Sequence, residues 1–441
     1  MRARNILLIV CLQCVFMLGS CQKPILPDPK PNPKPNPEIP TTQFPTNLEV
    51  VWLAPLCLDS AGGGWIRDFQ VANDQYIVVA RHSGERPQGI GIYDMQTGKR
   101  HSAWSNDPGG IFSVTEVEDL MDCKTAGKNK EIILIYNRRA LFGYSLHTGQ
   151  RLWTIPIQDA MGIPHISANG DYAFISYSPN GALSKSWCRL VTVDVYSGKK
   201  TEILQINIED NYEFAINPPS AYVNNEGDTL LYFTTDGVNF ATGHCRGIAY
   251  CFNLTKKEML WKNKELTLTS VHGASSFDPP PFVIENDKLI ITTRDAITCL
   301  NKNTGEIIWQ RVDLSFADMP PLYWEGKLYI RCRSNTLSGL FFCLDALTGQ
   351  QIWENTTSRP LPAAEGRMAI YKDKLYCSIS GSNANYYLLC VDINTGKELW
   401  RDWGPWGNIA FDVLIDQKTG YLYCYTGWAT MCVDLNKTPK K

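Results

Sequence analysis

The stretch Cys343-Leu-Asp-Ala-Leu-Thr-Gly-Gln-Gln-Ile-Trp353 reads as two short strands joined by a tight turn. The first strand ends at Asp345, a residue type whose side chain caps turns. Thr348 and Gly349 make the turn itself, the glycine supplying the positive φ that a hairpin bulge needs. Trp353 then hangs from the second strand, four residues past the glycine. The unit is a β-hairpin with a large aromatic on its outgoing strand.

The same grammar recurs from Asp94 to Gly98, Ser145 to Trp153, Asp194 to Gly198, Asn253 to Trp261, Asn301 to Trp309 and Asp392 to Trp400, and ends in a truncated Val433-Asp434-Leu435. Its glycine position falls at residues 98, 149, 198, 257 (a lysine), 305, 349 and 396, a period of 44 to 59 residues. Polar inner turns such as Asn73 to Tyr76, Asn286 to Leu289, Glu325 to Tyr329 and Lys372 to Tyr376 precede the hairpins. An all-β period of this length predicts one four-stranded blade per repeat, a β-propeller. Helical solenoids are excluded because no repeat carries a long segment of 3.6-residue periodicity. The longest interval, 198 to 257, holds extra residues around Thr234, Thr235, Asp236, Gly237 and His244, expected to form a loop and not a ninth blade.

The blade count depends on the ends of the chain. The last unit stops after Asp434-Leu435 without a Thr-Gly-x-x-x-Trp strand, which leaves an open ladder edge of the kind natural sheets avoid. Leu48-Glu49-Val50-Val51-Trp52 resembles that missing outer strand. Outer strands containing Trp52, Trp104, Trp153, Glu202, Trp261, Trp309, Trp353 and Trp400 then give an eight-bladed ring closed by the N-terminal strand.

Before the ring, Met1 to Ser20 has two arginines, an apolar run from Ile6 to Gly19 broken by Gln13, and then Leu18-Gly19-Ser20-Cys21. The run is short for a membrane span, and small residues before a cysteine mark a cleavage site. The segment resembles a bacterial lipobox, which implies a signal peptide over 1–20 and a lipidated Cys21. Alternating prolines then hold 21–45 near polyproline II as a semi-rigid tether, and the propeller is expected over 46–437. Removing Arg2 and Arg4 takes the formal charge from −2 to −4, so no electrostatic case exists for nucleic acid.

The repeat resembles the pyrroloquinoline-quinone-like (PQQ-like) propeller repeat, a Leu-Tyr strand followed by Leu-Asp-x-x-Thr-Gly-x-x-x-Trp, from Asn47 to Lys437. Three units depart from it. The third has Thr201-Glu202-Ile203 in place of the tryptophan, the first has Trp104 two residues late, and the fourth has Lys256-Lys257 for Thr-Gly. The family contains quinoprotein dehydrogenases and cofactor-free scaffold lipoproteins of outer-membrane barrel assembly. The enzymes place an adjacent Cys-Cys disulfide against the quinone and hold a calcium ion beside it. This chain has no adjacent cysteine pair, and no segment matches those calcium ligands. The resemblance therefore implies the cofactor-free branch, with no catalytic residue, no metal and no cofactor.

Five cysteines, Cys251, Cys299, Cys343, Cys390 and Cys432, share one register two residues before the hairpin Asp or Asn, as small buried hydrophobes would. Three have a cysteine on the preceding strand (Cys332 with Cys343, Cys377 with Cys390, Cys424 with Cys432), which leaves thiols or disulfides open in an exported chain. No Cys-x-x-Cys occurs, and the six histidines show no metal-ligand spacing. Glu118, Asp119, Asp122, Asn129 and Glu131 read as a solvated acidic turn, with calcium as the alternative.

What remains is the ring face that carries the loops from second to third strand and from fourth strand to the next blade. Those loops hold the candidate ligand-binding residues Arg138, Arg139, Trp187, His244, Arg294, Arg333, Trp403, Trp406 and Trp428. Tryptophan and arginine are the residues most enriched among binding anchors. The expectation is a non-catalytic scaffold lipid-anchored at the outer membrane and binding an envelope protein; a glycan- or small-molecule-binding propeller and a degenerate quinone enzyme are the alternatives.

Overall fold

The computed structural model describes residues 46–55, 65–82, 89–104, 120–137, 140–156, 166–177, 187–207, 213–239, 242, 244–266, 281–285, 287–293, 296–312, 321–331, 341–355, 366–380, 386–402, 404, 409–426 and 429–439. The chain divides into a unit of Met1–Asn36 and a unit of Pro37–Lys441, and all described residues belong to the second. Cys21 and the tether lie outside them.

Eight antiparallel sheets follow one another along the chain as the blades of a propeller. Blades 1 to 7 occupy residues 65–104, 120–156, 166–207, 213–266, 282–311, 322–355 and 369–402. Blade 8 takes Ile409–Asp416, Tyr421–Thr426 and Ala429–Asp434 from the end of the chain and Val50–Pro55 from its beginning. Trp52 pairs with Cys432 and Pro55 with Ala429, so the ring closes through the N-terminal strand as expected. Eight apolar clusters, one at each blade junction, make up the core.

The hairpin turn is held by its own carboxylate. Asp345 Oδ1 accepts hydrogen bonds from Thr348 Oγ1 (2.8 Å), Thr348 N (2.8 Å) and Leu347 N (3.0 Å), while Gly349 N donates to Asp345 O (2.9 Å). The Thr348 hydroxyl holds the Asp345 carboxyl below the usual carboxylate range. Equivalent bonds form at Asp94, Asp194 and Asp392. Blade 4 replaces the Thr-to-carboxylate bond with an ion pair from Lys256 Nζ to Asp228 (2.7 Å).

Six of the hairpins also receive the preceding blade's tryptophan. Trp309 Nε1 donates to Ala346 O (3.1 Å) and its ring lies where a Cβ on Gly349 would stand, 2.7 Å away; Gly349 has φ +70°. Only glycine serves both the turn and the close approach. The same indole-to-carbonyl bond joins Trp52 to Met95, Trp104 to Leu146, Trp153 to Val195, Trp261 to Lys302 and Trp353 to Ile393.

Within the blade, the residue beneath the tryptophan must be small. Cys251, Cys343, Cys390 and Cys432 each pair with a tyrosine on one side and a tryptophan on the other. The two rings sit with centroids 6.0 to 6.2 Å apart. Cys299 lies between Ile290 and Trp309, and Gly143 takes the same place under Trp153. A larger side chain in this row would force the rings apart.

The open question of the cysteines is answered, and two expectations are corrected. Cys377 pairs with Leu389 and packs toward blade 6, whereas Cys390 packs toward blade 8; Cys424 and Cys432 likewise face opposite junctions. Neighbouring strand positions out of register by one point to opposite faces, so these pairs are buried thiols and not disulfides. Cys343 is also a buried thiol, and Cys332 lies outside the described residues. Blade 1 has three described strands. Its Trp104 is reached through an Arg100 bridge to Tyr93 and a 3-10 turn, Ser102–Trp104, which takes up the two extra residues. The expected loop in blade 4 is instead strand: Thr229–Asn239 and His244–Asn253 pair along their whole length.

Two predictions follow from these contacts. Trp52→Ala removes the indole that joins the closing strand to blade 1 and is expected to cost about 3 kcal/mol, the scale of a large-to-small core loss. Truncation at Pro55 should destabilise the ring by more than that, truncation at Pro45 hardly at all; thermal melts of the three proteins decide it. The second concerns His101, whose Nδ1 accepts the Ala103 N–H (3.3 Å) beneath the Trp104 turn. Burial, and then the charge of His147, push its pKa below the ordinary 6.5. The unfolded chain therefore takes up this proton first, and stability is whole above pH 6.5 and declines as pH falls through the folded-state value. Between about pH 7 and about pH 5 the melting temperature of His101→Gln should fall less than that of the wild type.

Candidate binding face

Three connections between second and third strands are each closed by a hydrogen bond across their base. In blade 2, Ala140 N donates to Asn137 Oδ1 (2.7 Å); in blade 8, Ala429 N donates to Thr426 Oγ1 (3.0 Å); in blade 5, Thr293 N donates to Ala296 O (2.8 Å). Asn137, Thr426 and Thr293 are all buried. Each base leaves two residues at its tip: Arg138 and Arg139, Gly427 and Trp428, Arg294 and Asp295. Those tip residues lie outside the described set, as do Arg333, Trp403 and Trp406. Four of the nine candidates thus fall at the tips of two-residue connections whose bases all open on one face of the ring.

Trp187 is the candidate whose side chain is described. It begins the third strand of blade 3, Trp187–Asp194, and is half-buried. The Arg189 guanidinium carbon stands 4.1 Å from the centre of its ring. Arg189 is in turn held by Gln205 Oε1, which accepts from Nε at 3.1 Å, and by Glu202 at 3.4 Å. Residues two apart on a strand share a face, so Trp-x-Arg in the sequence was the available signal for this stack. Sequence reading missed Arg189, Glu202 and Gln205 because it took Glu202 as the tryptophan substitute. A register shift between Leu190 and Val191 pairs Glu202 with Val191 and turns it to Arg189's face.

His244 opens the long third strand of blade 4. That blade has a fifth strand, Glu213–Ile216, paired with the upper part of Thr229–Asn239, and its outer strand extends to Leu266. Blade 4 stands taller than its neighbours on the loop face, one blade from Trp187. On the tall outer strand, Lys262 Nζ lies 5.6 Å from the centre of the Tyr250 ring.

The opposite face carries the hairpin turns. There the carboxylates of Asp94, Asp194, Asp345 and Asp392 accept from their own turn hydroxyls and backbone N–H groups, and Glu131 accepts from the Tyr196 hydroxyl (2.7 Å); Asp122, at the loop-face end of blade 2's first strand, pairs with Lys124 (3.0 Å). Glu118 and Asp119 lie outside the described residues, among which no group of three metal-type ligands occurs. The thiols are similarly silenced. Burial pushes Cys251, Cys299, Cys377, Cys390 and Cys432 up to about 12 and Cys343 to about 11. No thiolate nucleophile is available among them near neutral pH. Alkylation of the native protein at about pH 8 should leave all nine described cysteines unmodified and label them only after denaturation. Peptide mapping that finds any of them labelled at a free-thiol rate, or a 377–390 disulfide, would contradict the packing.

Residues 245–405, from the third strand of blade 4 through blade 7, match the family described as outer membrane protein assembly factor BamB. No curated protein matches the chain. Among solved structures, a europium-containing methanol dehydrogenase aligns with a TM-score of 0.59 at 12% identity, covering 86% of this chain and 84% of that one. The computationally designed Ika8 protein aligns at 0.54 and 10%, covering 88% and 100%. BamB from Moraxella catarrhalis aligns at 0.48 and 13%, covering 89% and 99%. At these identities the first two show the propeller fold alone. Among the described residues no helix is long and apolar enough to cross a membrane.

Proposed function

We propose that the chain, a PQQ-like β-propeller resembling BamB over residues 245–405, serves as a non-catalytic binding scaffold of the bacterial cell envelope. The observation that carries the reading is this match, which runs from the third strand of blade 4 through blade 7. The lipobox-like Leu18-Gly19-Ser20-Cys21 supports a lipid anchor at the outer membrane, and the tether holds the ring away from it. Without an adjacent cysteine pair, the chain lacks a feature that quinoprotein dehydrogenases place against their cofactor.

The docking surface in this reading is the loop face, and its partner is an envelope protein. Trp187 capped by Arg189 is an aromatic and cationic anchor of the type that dominates protein interfaces. Arg138, Arg139, Arg294 and Trp428 join it from the two-residue tips. His244, at the start of the long third strand of blade 4, and Arg333, Trp403 and Trp406 complete the set.

A photo-crosslinking residue at position 187 or 428 in cells should capture one envelope protein, and the same residue at exposed Ile308 on the outer rim should not. Trp187→Ala with Arg189→Ala should weaken capture about tenfold, or about 1.4 kcal/mol, with the melting temperature unchanged. Cys21→Ser should release the protein from the membrane fraction. Stoichiometric quinone binding with oxidation of an alcohol or sugar would overturn the scaffold reading.

A further inference from the structure

We propose that the junction of blades 1 and 2 is an acid-sensitive latch, in which the His101 imidazole holds the turn that seats Trp104 and releases it on protonation. Trp52, Trp153, Trp261, Trp309, Trp353 and Trp400 all stand on strands, whose ladders fix their indoles. Trp104 differs from them in being delivered by a 3-10 turn, Ser102–Trp104. It is also fully buried, and its indole N–H makes the shortest of the six crossing bonds, 2.6 Å to Leu146 O.

The turn is anchored on His101. The His101 N–H donates to Ile92 O (2.8 Å), its carbonyl accepts from Trp104 N (3.1 Å), and its Nδ1 accepts from Ala103 N (3.3 Å). An Nδ1 that accepts leaves the ring proton of the neutral imidazole on Nε2. A second proton therefore enters at Nδ1, where it faces the Ala103 N–H. An acceptor becomes a donor, and the bond that shapes the turn becomes a repulsion. The Ala103 carbonyl has little room to yield, since a Cβ on Gly149 would lie 2.2 Å from its oxygen. Relief comes by lifting the turn, and Trp104 with it, from the blade 2 hairpin. That exposes the apolar cluster of Ile133, Ile135, Phe142, Tyr144 and Leu146 that packs with this indole.

The charges around the imidazole favour release. His147, which follows Leu146 in the receiving hairpin, carries a like charge. Arg100 donates from Nη2 to the Trp104 carbonyl (3.3 Å), which places a further cation beside the turn. Tyr76 meets the imidazole edge-on, with centroids 4.9 Å apart. The nearby carboxylates are engaged elsewhere: Asp94 accepts from Thr97 and Gln96, and Glu131 from the Tyr196 hydroxyl and Asn129 N. Burial and then the His147 charge hold the His101 pKa below the ordinary 6.5, so the latch stays closed at neutral pH and opens as pH falls through the folded-state value.

The latch is independent of what the loop face binds. Hydrogen exchange with mass spectrometry on the full chain, corrected for the intrinsic pH dependence of amide exchange, tests it between about pH 7.5 and about pH 4.5. Peptides covering 99–104 and 140–151 should exchange about tenfold faster on acidification, while 297–311 and 341–355 stay within about twofold. His101→Gln keeps an acceptor for Ala103 N without a titrating group and should abolish the gain. His147→Gln removes the like charge and should move the onset to higher pH, which loss of packing alone would not do. In the wild type, an NMR titration of the His101 ring should share its midpoint with the exchange. An acid response spread evenly over the blades, one that persists in His101→Gln, or an onset unmoved by His147→Gln would overturn the latch.

Discussion

The indole laid across the next blade's glycine turn is the contact on which the rest of the ring depends. A propeller blade has a poorly covered outermost strand, and the tryptophan on that strand buries itself against the neighbouring blade, not its own. One such burial is worth about 3 kcal/mol, and the N–H to carbonyl bond adds about 1 kcal/mol and a direction. The contact constrains three other positions at once. The turn beneath must lack a Cβ, the residue inside the blade must be small, and the preceding strand must offer a ring or aliphatic surface on the far side of that small residue. Tyr329, Cys343, Trp353 and Gly396 are in this sense one choice made on two blades.

The same constraint explains why irregularities come in pairs. Blade 3 has no tryptophan on its outer strand, and the hairpin that would have received it, in blade 4, has Lys257 in place of glycine; each absence makes the other tolerable. The chain ends show the reverse case. With no Thr-Gly turn after Asp434, the seventh blade's Asn-type donor becomes Asp402, because its partners are now backbone and side-chain donors of Thr46 and Asn47 and not a carbonyl. A second substitute appears beside it: Asp416-Gln-Lys-Thr-Gly420 repeats the hairpin grammar at an inner turn. Tyr371 packs there against Gly420 and donates to Asn436 (3.0 Å).

For function, the two faces of the ring divide the chemistry. One carries the hairpin turns, where Asp94, Asp194, Asp345 and Asp392 accept from their own threonine or serine hydroxyls. The other carries the two-residue tips, the Trp187 and Arg189 stack and the raised blade 4. The nine cysteines whose side chains are described contribute packing, since each lies in a junction cluster or beneath an indole. In the proposed scaffold role such a molecule serves as a frame that displays short loops.

The sequence by itself determined the blade period, the hairpin turns, the eightfold count and the closure by Leu48 to Trp52. These depend on local rules: a carboxylate that caps a turn, a glycine with positive φ, and a tryptophan at a fixed offset. It also marked the loop face, because strand order alone decides which connections share a face. Only the tertiary structure decided which way each side chain points when a register slips. The shift in blade 3 put Glu202 with Arg189 and Trp187, which equal spacing from Gly198 could not reveal. Only it decided that Cys377 and Cys390, neighbours on paired strands, face different junctions, since one residue of register separates a bond from opposite sides of a sheet. Only it turned the long insertion before His244 into a taller blade, because an added hairpin becomes strand or loop according to whether neighbouring strands rise to pair with it.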